Sequence, residues 1–245
     1  MSPRRKDRLS PLAASHEERS RSRNSARSDE AGGAETPYYP VMLHVQGRRC
    51  IVVGGGEIAL RRVRTLMEHD ARVEVVSPEL CPELSQLAAA GAIKTTLRDY
   101  ETGDLEGAFV VVAATADGAT NRQVADEAMK RGVLVNVVDT PELCNFIIPS
   151  CLRRGAVTVA VSTGGKSPAL ARRIRTELEP SFGHEYGPLA LMIEEVRSEL
   201  RQKGVTIPGE AWQRALDLKP LLEMLRRGQR DKAKRRLQDS LGRYE

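Results

Sequence analysis

The chain has 245 residues, a formal net charge of +5, an apolar fraction of 40% and an aromatic fraction of only 4%. This length allows one large domain, or a medium-sized domain with an appendage, and it is enough to bury a sizeable core. No apolar run approaches the roughly 18 residues that a membrane span requires. The positive charges are scattered and carry no interleaved aromatic side chains, so we expect neither a membrane nor a nucleic acid as a partner.

Residues 1–36 differ from the rest of the chain. They are rich in Ser, Arg and Glu and contain almost no large apolar side chain. Such a segment buries too little apolar surface to offset the loss of chain entropy, so it predicts a disordered tail. Its acidic residues argue against an organellar transit peptide, and it lacks the apolar segment of a signal peptide.

The cysteines indicate a reducing compartment. The chain contains four, with no CxxC pair among them: Cys50, Cys81, Cys144 and Cys151. We expect all four to be reduced structural residues and the protein to be cytoplasmic. No His/Cys cluster has the spacing of metal ligands, so we expect no resident metal ion.

From about Tyr38 the pattern changes to strands that alternate with amphipathic helices. The predicted strands are 48–54, 72–77, 93–99, 108–115 and 133–139. The predicted helices between them are 57–71, 78–92 and 118–132. This alternation predicts an α/β domain with a Rossmann-type parallel sheet.

Beyond Asp139 the pattern becomes a short strand-and-helix connector and then a helical region. Two further strands are predicted at 145–150 and 156–163, followed by a helix at 167–180. Ser167 and Pro168 open that helix, because serine caps helix starts and proline is tolerated in the first turn. The remainder of the chain is predicted to be helical with one break at 204–209.

A glycine motif follows the first predicted strand. Gly54, Gly56 and Ala59 fit G-x-G-x-x-A between a strand and a helix, which is the context of a dinucleotide site. Gly54 permits the tight turn, and Gly56 lets the backbone approach a pyrophosphate at the helix N-terminus. The alternative is a phosphate-free turn in a Rossmann-like domain. The helix itself is expected to place Ile58 with Val63 on its apolar face.

The second strand lacks the acidic residue that usually holds the ribose hydroxyls of NAD. It ends at Ser77 and Pro78, with Glu79 two positions late. Ser77 could donate to a ribose oxygen, or Glu79 could reach back to it. No arginine immediately follows the strand to hold a 2′-phosphate, which favours NAD over NADP.

Polar residues end the next two strands at the edge where such sheets bind ligands. Thr115 and Asp117 follow one strand, and Asp139 follows the other. We interpret Asp117 chiefly as a turn or helix-capping residue. Asp139 ends an apolar strand, and a carboxylate there has a natural role as a general base, although the pattern leaves a structural role open.

Four motifs together resemble the siroheme-synthase N-terminal family, which comprises precorrin-2 dehydrogenases, some of them also sirohydrochlorin ferrochelatases. The motifs are YYPVMLHVQGRRCIVVGGGEIALRRVRTL, AATAD with the following TN, NVVDTPELCNFIIPS and VAVSTGGKSPALARRIR. The resemblance implies NAD-dependent oxidation of precorrin-2 to sirohydrochlorin in a homodimer of the stand-alone form. It leaves open whether ferrous ion is then inserted as a co-substrate.

The resemblance also assigns regions and roles. After the tail at 1–36, it implies an NAD-binding Rossmann domain at 37–146, a dimerisation segment at 147–182 and a helical C-terminal region at 183–245. It implies Asp139 as the catalytic residue. The implied cofactor contacts are Gly54, Gly55, Gly56, Glu57, Ile58, Pro78 and Glu79, to which the strand ends described above add Ser77 and Thr115. The implied contacts to the tetrapyrrole substrate are Asn136, Ser162, Thr163, Gly164, Lys166 and Ser167.

Two alternatives remain from the residues alone. A non-catalytic NAD-sensing regulatory module would account for the glycine motif and the parallel sheet. A dehydrogenase of small metabolites with a helical substrate domain is the other alternative. The glycine loop before the helix at 167 is a plausible anion site, with an ordinary turn and helix cap as its alternative.

Overall fold

Five parallel strands form the central sheet of this computed structural model, which describes residues 38–242. The strands are β1 (Arg49–Val53), β2 (Arg72–Val76), β3 (Lys94–Thr96), β4 (Val110–Ala113) and β5 (Leu134–Val137). Their order is β3-β2-β1-β4-β5, and every neighbouring pair is parallel. The carboxyl ends of all five strands therefore lie at one edge, as the predicted Rossmann-type sheet requires.

Helices connect these strands and cover both faces of the sheet. They are α1 (Glu57–Met67), α2 (Pro82–Ala89) and α3 (Gly118–Arg131). Side chains alternate along β1, so Ile51 packs in the core on the face that carries α3, and Val52 packs with α1 on the other face. Burial on both faces explains why the sequence of β1 is apolar after Arg49.

A second region follows the sheet. Strands β6 (Ser150–Arg154) and β7 (Val157–Val161) form an antiparallel pair. Helices α4 (Pro168–Leu178), α5 (Tyr186–Gln202), α6 (Gly209–Ala215), α7 (Leu218–Arg226) and α8 (Arg230–Leu241) complete it. The last four helices enclose their own apolar core, in which Met192, Leu221 and Leu237 are fully buried.

Two local predictions are wrong. The strand expected at 145–150 begins only at Ser150, because the preceding residues run beside β5 and bond to it through side chains. Ile58 does not share the buried face of α1 with Val63: its side chain is 37% exposed, whereas Ala59 and Leu60 are buried. The face of α1 that meets the sheet starts one residue later than the apolar pattern predicted.

The described residues from Pro40 onward form one compact unit. The predicted tail at 1–36 lies outside the described residues. The boundaries predicted near 146 and 182 stay predictions. Among the described residues, no helix is both long and apolar enough to cross a membrane.

Candidate active site

The glycine loop after β1 is required in part by the fold itself. Gly54 has a φ of 121°, and a Cβ there would lie 2.5 Å from the carbonyl oxygen of Ala114. A Cβ on Gly55 would overlap the carbonyl oxygen of Glu79. The carbonyl of Gly55 accepts a hydrogen bond of 2.8 Å from the amide of Cys81. Gly54 and Gly55 therefore let the ends of β1, β2 and β4 approach closely, whether or not a ligand is bound.

Packing within the folded chain does not require a glycine at position 56. Its φ of −88° suits any residue, and a Cβ would meet no atom within 4 Å. It precedes α1, whose first turn no side chain caps. Open space in front of uncapped amides at a helix N-terminus fits a dinucleotide pyrophosphate, which requires close backbone approach. Glu57 and Ile58 are exposed beside it.

The end of β2 differs from the expectation for a ribose-binding residue. Ser77 is only 7% exposed, and its hydroxyl donates a 2.7 Å hydrogen bond to the carbonyl of Glu79. In this conformation its proton is donated within the chain, and a contact of Ser77 with the ribose stays a prediction. Pro78 and Glu79 are both exposed, which leaves the Glu79 carboxylate accessible at this edge.

The turn after β4 is closed by its own polar side chains. The hydroxyl of Thr115 lies 2.8 Å from Oδ1 of Asn121 and 2.9 Å from the carbonyl of Asp117. The carboxylate of Asp117 accepts from the amides of Ala119 and Thr120 and from the Thr120 hydroxyl. These bonds, led by that of the hydroxyl, hold the pKa of Asp117 below its ordinary value. Asp117 is the N-cap of α3, as predicted.

The turn after β5 presents a different aspartate. Asp139 is exposed and has a φ of 58°, in the left-handed region that L-residues rarely adopt. No hydrogen bond to its carboxylate occurs within the described residues. The turn is closed by the 3.3 Å bond from the amide of Thr140 to the carbonyl of Val137. A strained residue with an accessible carboxylate at the ligand-binding edge has the features of a functional group.

Arg62 is a neighbour of Asp139 that the sequence pattern did not single out. It lies on α1, half-buried. Burial lowers the pKa of its guanidinium, Arg61 lowers it further, and the charge of Asp139 opposes the shift. A cation is therefore within electrostatic range of the Asp139 carboxylate. Only the folded structure brings these two residues together, because 76 positions separate them in the sequence.

The glycine loop before α4 adjoins the Asp139 turn. A Cβ on Gly165 would lie 4.0 Å from Cβ of Pro141, two residues after Asp139. The hydroxyl of Thr163 bonds to the amide and carbonyl of Ser167, and Ser167 caps α4 through the amide of Leu170. Thr163 and Ser167 thus shape the loop.

The remaining predicted substrate contacts differ in accessibility. Ser162, Gly164 and Lys166 are exposed on the loop before α4. Asn136 is buried, and its amide donates to the carbonyl of Phe146 at 3.2 Å, so in this conformation it holds the chain that follows the turn. The exposed loop residues are the ones that an incoming ligand can reach.

One acidic cluster near the first glycine loop was not predicted. Ligand atoms of Glu57, Cys81 and Glu83 lie within 4.8 Å of one another. Glu57 and Glu83 occupy the first turns of α1 and α2, where carboxylates offset the partial positive charge of helix N-termini. The same two helix ends oppose a bound cation, so we assign the carboxylates to the helices.

The chain is similar to known proteins over both of its regions. A family described as "Putative NAD(P)-binding" matches residues 41–150, and one described as "Sirohaem biosynthesis protein central" matches residues 154–181. The siroheme synthase of Thioalkalivibrio sulfidiphilus is 42% identical over 206 residues, which is 83% of this chain and 42% of that protein. The siroheme synthase of Methylobacillus flagellatus is 46% identical over 67% of this chain and 35% of that protein.

A solved structure entitled "SirC, precorrin-2 dehydrogenase" has the same fold. It matches with a TM-score of 0.63 and 28% identity over 84% of this chain and 100% of that chain. These matches agree with the predicted resemblance to the siroheme-synthase N-terminal family. The chain spans less than half the length of the siroheme synthases it matches. The structural match confirms the predicted fold class, and the glycine loop after β1 lies within the region that matches the NAD(P)-binding family.

Proposed function

We propose that the protein catalyses the NAD-dependent dehydrogenation of precorrin-2 to sirohydrochlorin. The observation that carries the proposal is the placement of Asp139. Its carboxylate is exposed in a left-handed turn, at the strand edge that also holds the open backbone of Gly56. The relatives named siroheme synthase and precorrin-2 dehydrogenase support this choice of substrate.

The reaction removes two electrons and two hydrogens from the macrocycle. Bound NAD would accept one hydrogen as a hydride, and the other would leave as a proton. NAD⁺ and precorrin-2 thus give NADH, sirohydrochlorin and H⁺. We assign the removal of the proton to Asp139, because its carboxylate is accessible and makes no hydrogen bond within the described chain.

Charged groups around the turn suit a substrate with many carboxylates. Arg62 lies within electrostatic range of Asp139, and Lys166 is exposed on the loop whose Gly165 adjoins Pro141. Cations there favour carboxylate groups and orient the macrocycle through charge-assisted hydrogen bonds. We assign Ser162, Thr163, Gly164, Lys166 and Ser167 to the substrate side and Gly54, Gly55, Gly56, Glu57, Ile58, Ser77, Pro78, Glu79 and Thr115 to the cofactor side. Asn136 supports the turn between them.

The cofactor is NAD rather than NADP in this proposal. No arginine or lysine directly follows Val76 at the end of β2, and the charged residue exposed there is the acidic Glu79. A carboxylate at that position disfavours a 2′-phosphate and suits free ribose hydroxyls.

The proposal extends to assembly, location and a second substrate. We propose a homodimer, with 147–182 as the dimerisation segment, and a cytoplasmic location, which agrees with four cysteines that are all free. Insertion of ferrous ion into sirohydrochlorin is a further proposed step. The pyrrole N–H protons must leave as the metal ion enters, and Asp139 is placed to accept them.

Anaerobic incubation of the purified protein with precorrin-2 and NAD tests the activity. We expect the absorbance spectrum of sirohydrochlorin to develop with NAD and much more slowly with NADP. A non-catalytic NAD-sensing module would bind NAD and leave the precorrin-2 spectrum unchanged, which would contradict the proposal. Adding ferrous ion after the oxidation is complete tests metal insertion separately, and measuring the mass of the protein in solution tests the dimer.

A further inference from the structure

The outer edge of β5 is covered by side chains of the segment that follows the Asp139 turn. Because β5 is the last strand of the sheet, the amides and carbonyls of Val135 and Val137 have no neighbouring strand. Asn145 bonds to Val135 in both directions. The backbone amide of Asn145 donates to the carbonyl of Val135 at 3.1 Å, and the side-chain Oδ1 of Asn145 accepts from the backbone amide of Val135 at 2.8 Å. Asn145 thus takes the place of a neighbouring strand with both its backbone and its side chain.

Cys144 bonds to the backbone of Val137, the last residue of β5, in a similar way. Its Sγ accepts from the amide of Val137 at 3.1 Å and lies 3.3 Å from the carbonyl of Val137. The same Sγ lies 3.3 Å from the carbonyl of Thr140. Val137 and Thr140 are the first and last residues of the turn that carries Asp139. The thiol is therefore bonded to both ends of that turn.

The turn needs such support because its conformation is unfavourable. Asp139 has a positive φ, which favours glycine, and the bond that closes the turn is a long one of 3.3 Å. Strained backbone of this kind persists only where surrounding contacts fix it. The half-buried thiol supplies those contacts, and burial raises its pKa, which keeps it protonated as a donor.

We propose that Cys144 is a positioning residue for the reaction: its thiol holds the left-handed turn that presents the Asp139 carboxylate. The proposal rests on the function proposed above. It assigns to Cys144 a role beyond that of a small buried apolar residue, which is the ordinary role of a free cysteine.

Three variants separate positioning from stability. Cys144→Ala removes both bonding functions of the thiol, and Cys144→Ser retains a donor and an acceptor. Asn145→Ala is the matched control, because it uncovers the same strand at Val135, away from the turn. We expect Cys144→Ala to lower kcat on the order of 10-fold to 100-fold with the KM for NAD unchanged, since small displacements of a reacting group have effects of this size. We expect Cys144→Ser to recover most of kcat.

The control variant Asn145→Ala distinguishes a positioning role of Cys144 from a role in stability alone. We expect Asn145→Ala to lower the Tm at least as much as Cys144→Ala while its kcat stays within about 2-fold of the wild type. Equal losses of kcat in the two alanine variants would overturn the proposal, because both would then act through stability alone. An unchanged kcat in Cys144→Ala would overturn it as well.

Amide hydrogen exchange keeps the proposal testable if the wild type does not oxidise precorrin-2. That result would refute the proposed function and leave the bonds of Cys144 to be judged alone. We expect the Val137 amide to exchange at least about 10-fold faster in Cys144→Ala than in the wild type, and to be protected again in Cys144→Ser. Unaltered protection of Val137 in Cys144→Ala would show that the thiol does not hold the turn.

Discussion

Two aspartates follow neighbouring strands at the same edge of the sheet, and the chain uses them for different purposes. Asp117, after β4, accepts three hydrogen bonds and caps α3. Asp139, after β5, is held in a left-handed turn with its carboxylate exposed. A carboxylate that already has several donors serves the fold, whereas one without them is available for a ligand. Position at the ligand-binding edge therefore does not by itself identify a catalytic residue.

The glycine loop after β1 repeats this contrast between neighbours. The absence of a side chain at Gly55 is required by the carbonyl of Glu79, which occupies the space. At Gly56 the space is open, so the reason for a glycine lies outside the folded chain. The two contrasts separate residues that build the edge from residues that we propose serve a ligand there, and each can be tested by matched substitutions.

The largest expected effect is that of Asp139→Asn on catalysis. Loss of a general base typically costs about 100-fold to 10,000-fold in rate, so we expect kcat for precorrin-2 oxidation to fall by that factor. Asparagine tolerates a positive φ, so the turn, the Tm and the affinity for NAD should stay unchanged. Asp117→Asn is the control, with expected kcat near that of the wild type. Comparable losses in the two variants would remove the distinction between the aspartates.

Alanine substitutions at Gly55 and Gly56 should have different effects. We expect Gly56→Ala to weaken NAD binding on the order of 10-fold to 100-fold, because a methyl group blocks the approach of the pyrophosphate. Its free energy of unfolding should fall by less than about 1 kcal/mol. Gly55→Ala should instead lower the free energy of unfolding by about 3 kcal/mol, since its Cβ overlaps backbone. NAD titration and denaturant unfolding of both variants measure the difference.

A smaller effect is expected at the loop before α4. Lys166→Ala should raise the KM for precorrin-2 on the order of 10-fold at low salt and leave kcat and the KM for NAD nearly unchanged, because the exposed ammonium acts on substrate carboxylates. The effect should shrink as ionic strength rises. Steady-state kinetics at two salt concentrations measure it, with Lys130→Ala on α3 as an exposed lysine outside the site. A change in the KM for NAD alone would instead indicate that this loop binds the cofactor.

The smallest expected effect is on stability at Asp117. Asp117→Ala should lower the Tm by a few degrees through loss of the helix cap. The pKa of this carboxyl in the folded state is below the ordinary 3.8, chiefly because of the Thr120 hydroxyl. Its stabilisation is therefore complete above that value and is lost as pH falls through the folded-state pKa. The Tm difference from the wild type should thus shrink in acid, and a difference that grows there would contradict the assignment.

Much of this arrangement could be predicted from the sequence, for reasons that particular residues make clear. The apolar strands and the G-x-G-x-x-A spacing are local patterns, and they predict the parallel sheet and the loop after β1. Asp117 precedes a helix, so its capping role is local too. The bonds from Cys144 to β5 depend on the path that residues 140–146 take beside that strand, and no spacing encodes this path. The crowding at Gly55 and the proximity of Arg62 to Asp139 likewise require the folded chain.

The central claim is that the chain transfers a hydride from precorrin-2 to NAD at the Asp139 turn. The most direct test measures NADH and sirohydrochlorin together during one anaerobic reaction of the wild-type protein, with Asp139→Asn run alongside. We predict that the wild type forms the two products in equal amounts and that the variant, with unchanged NAD affinity, forms neither at a comparable rate. NAD binding by the wild type without formation of either product would contradict the claim.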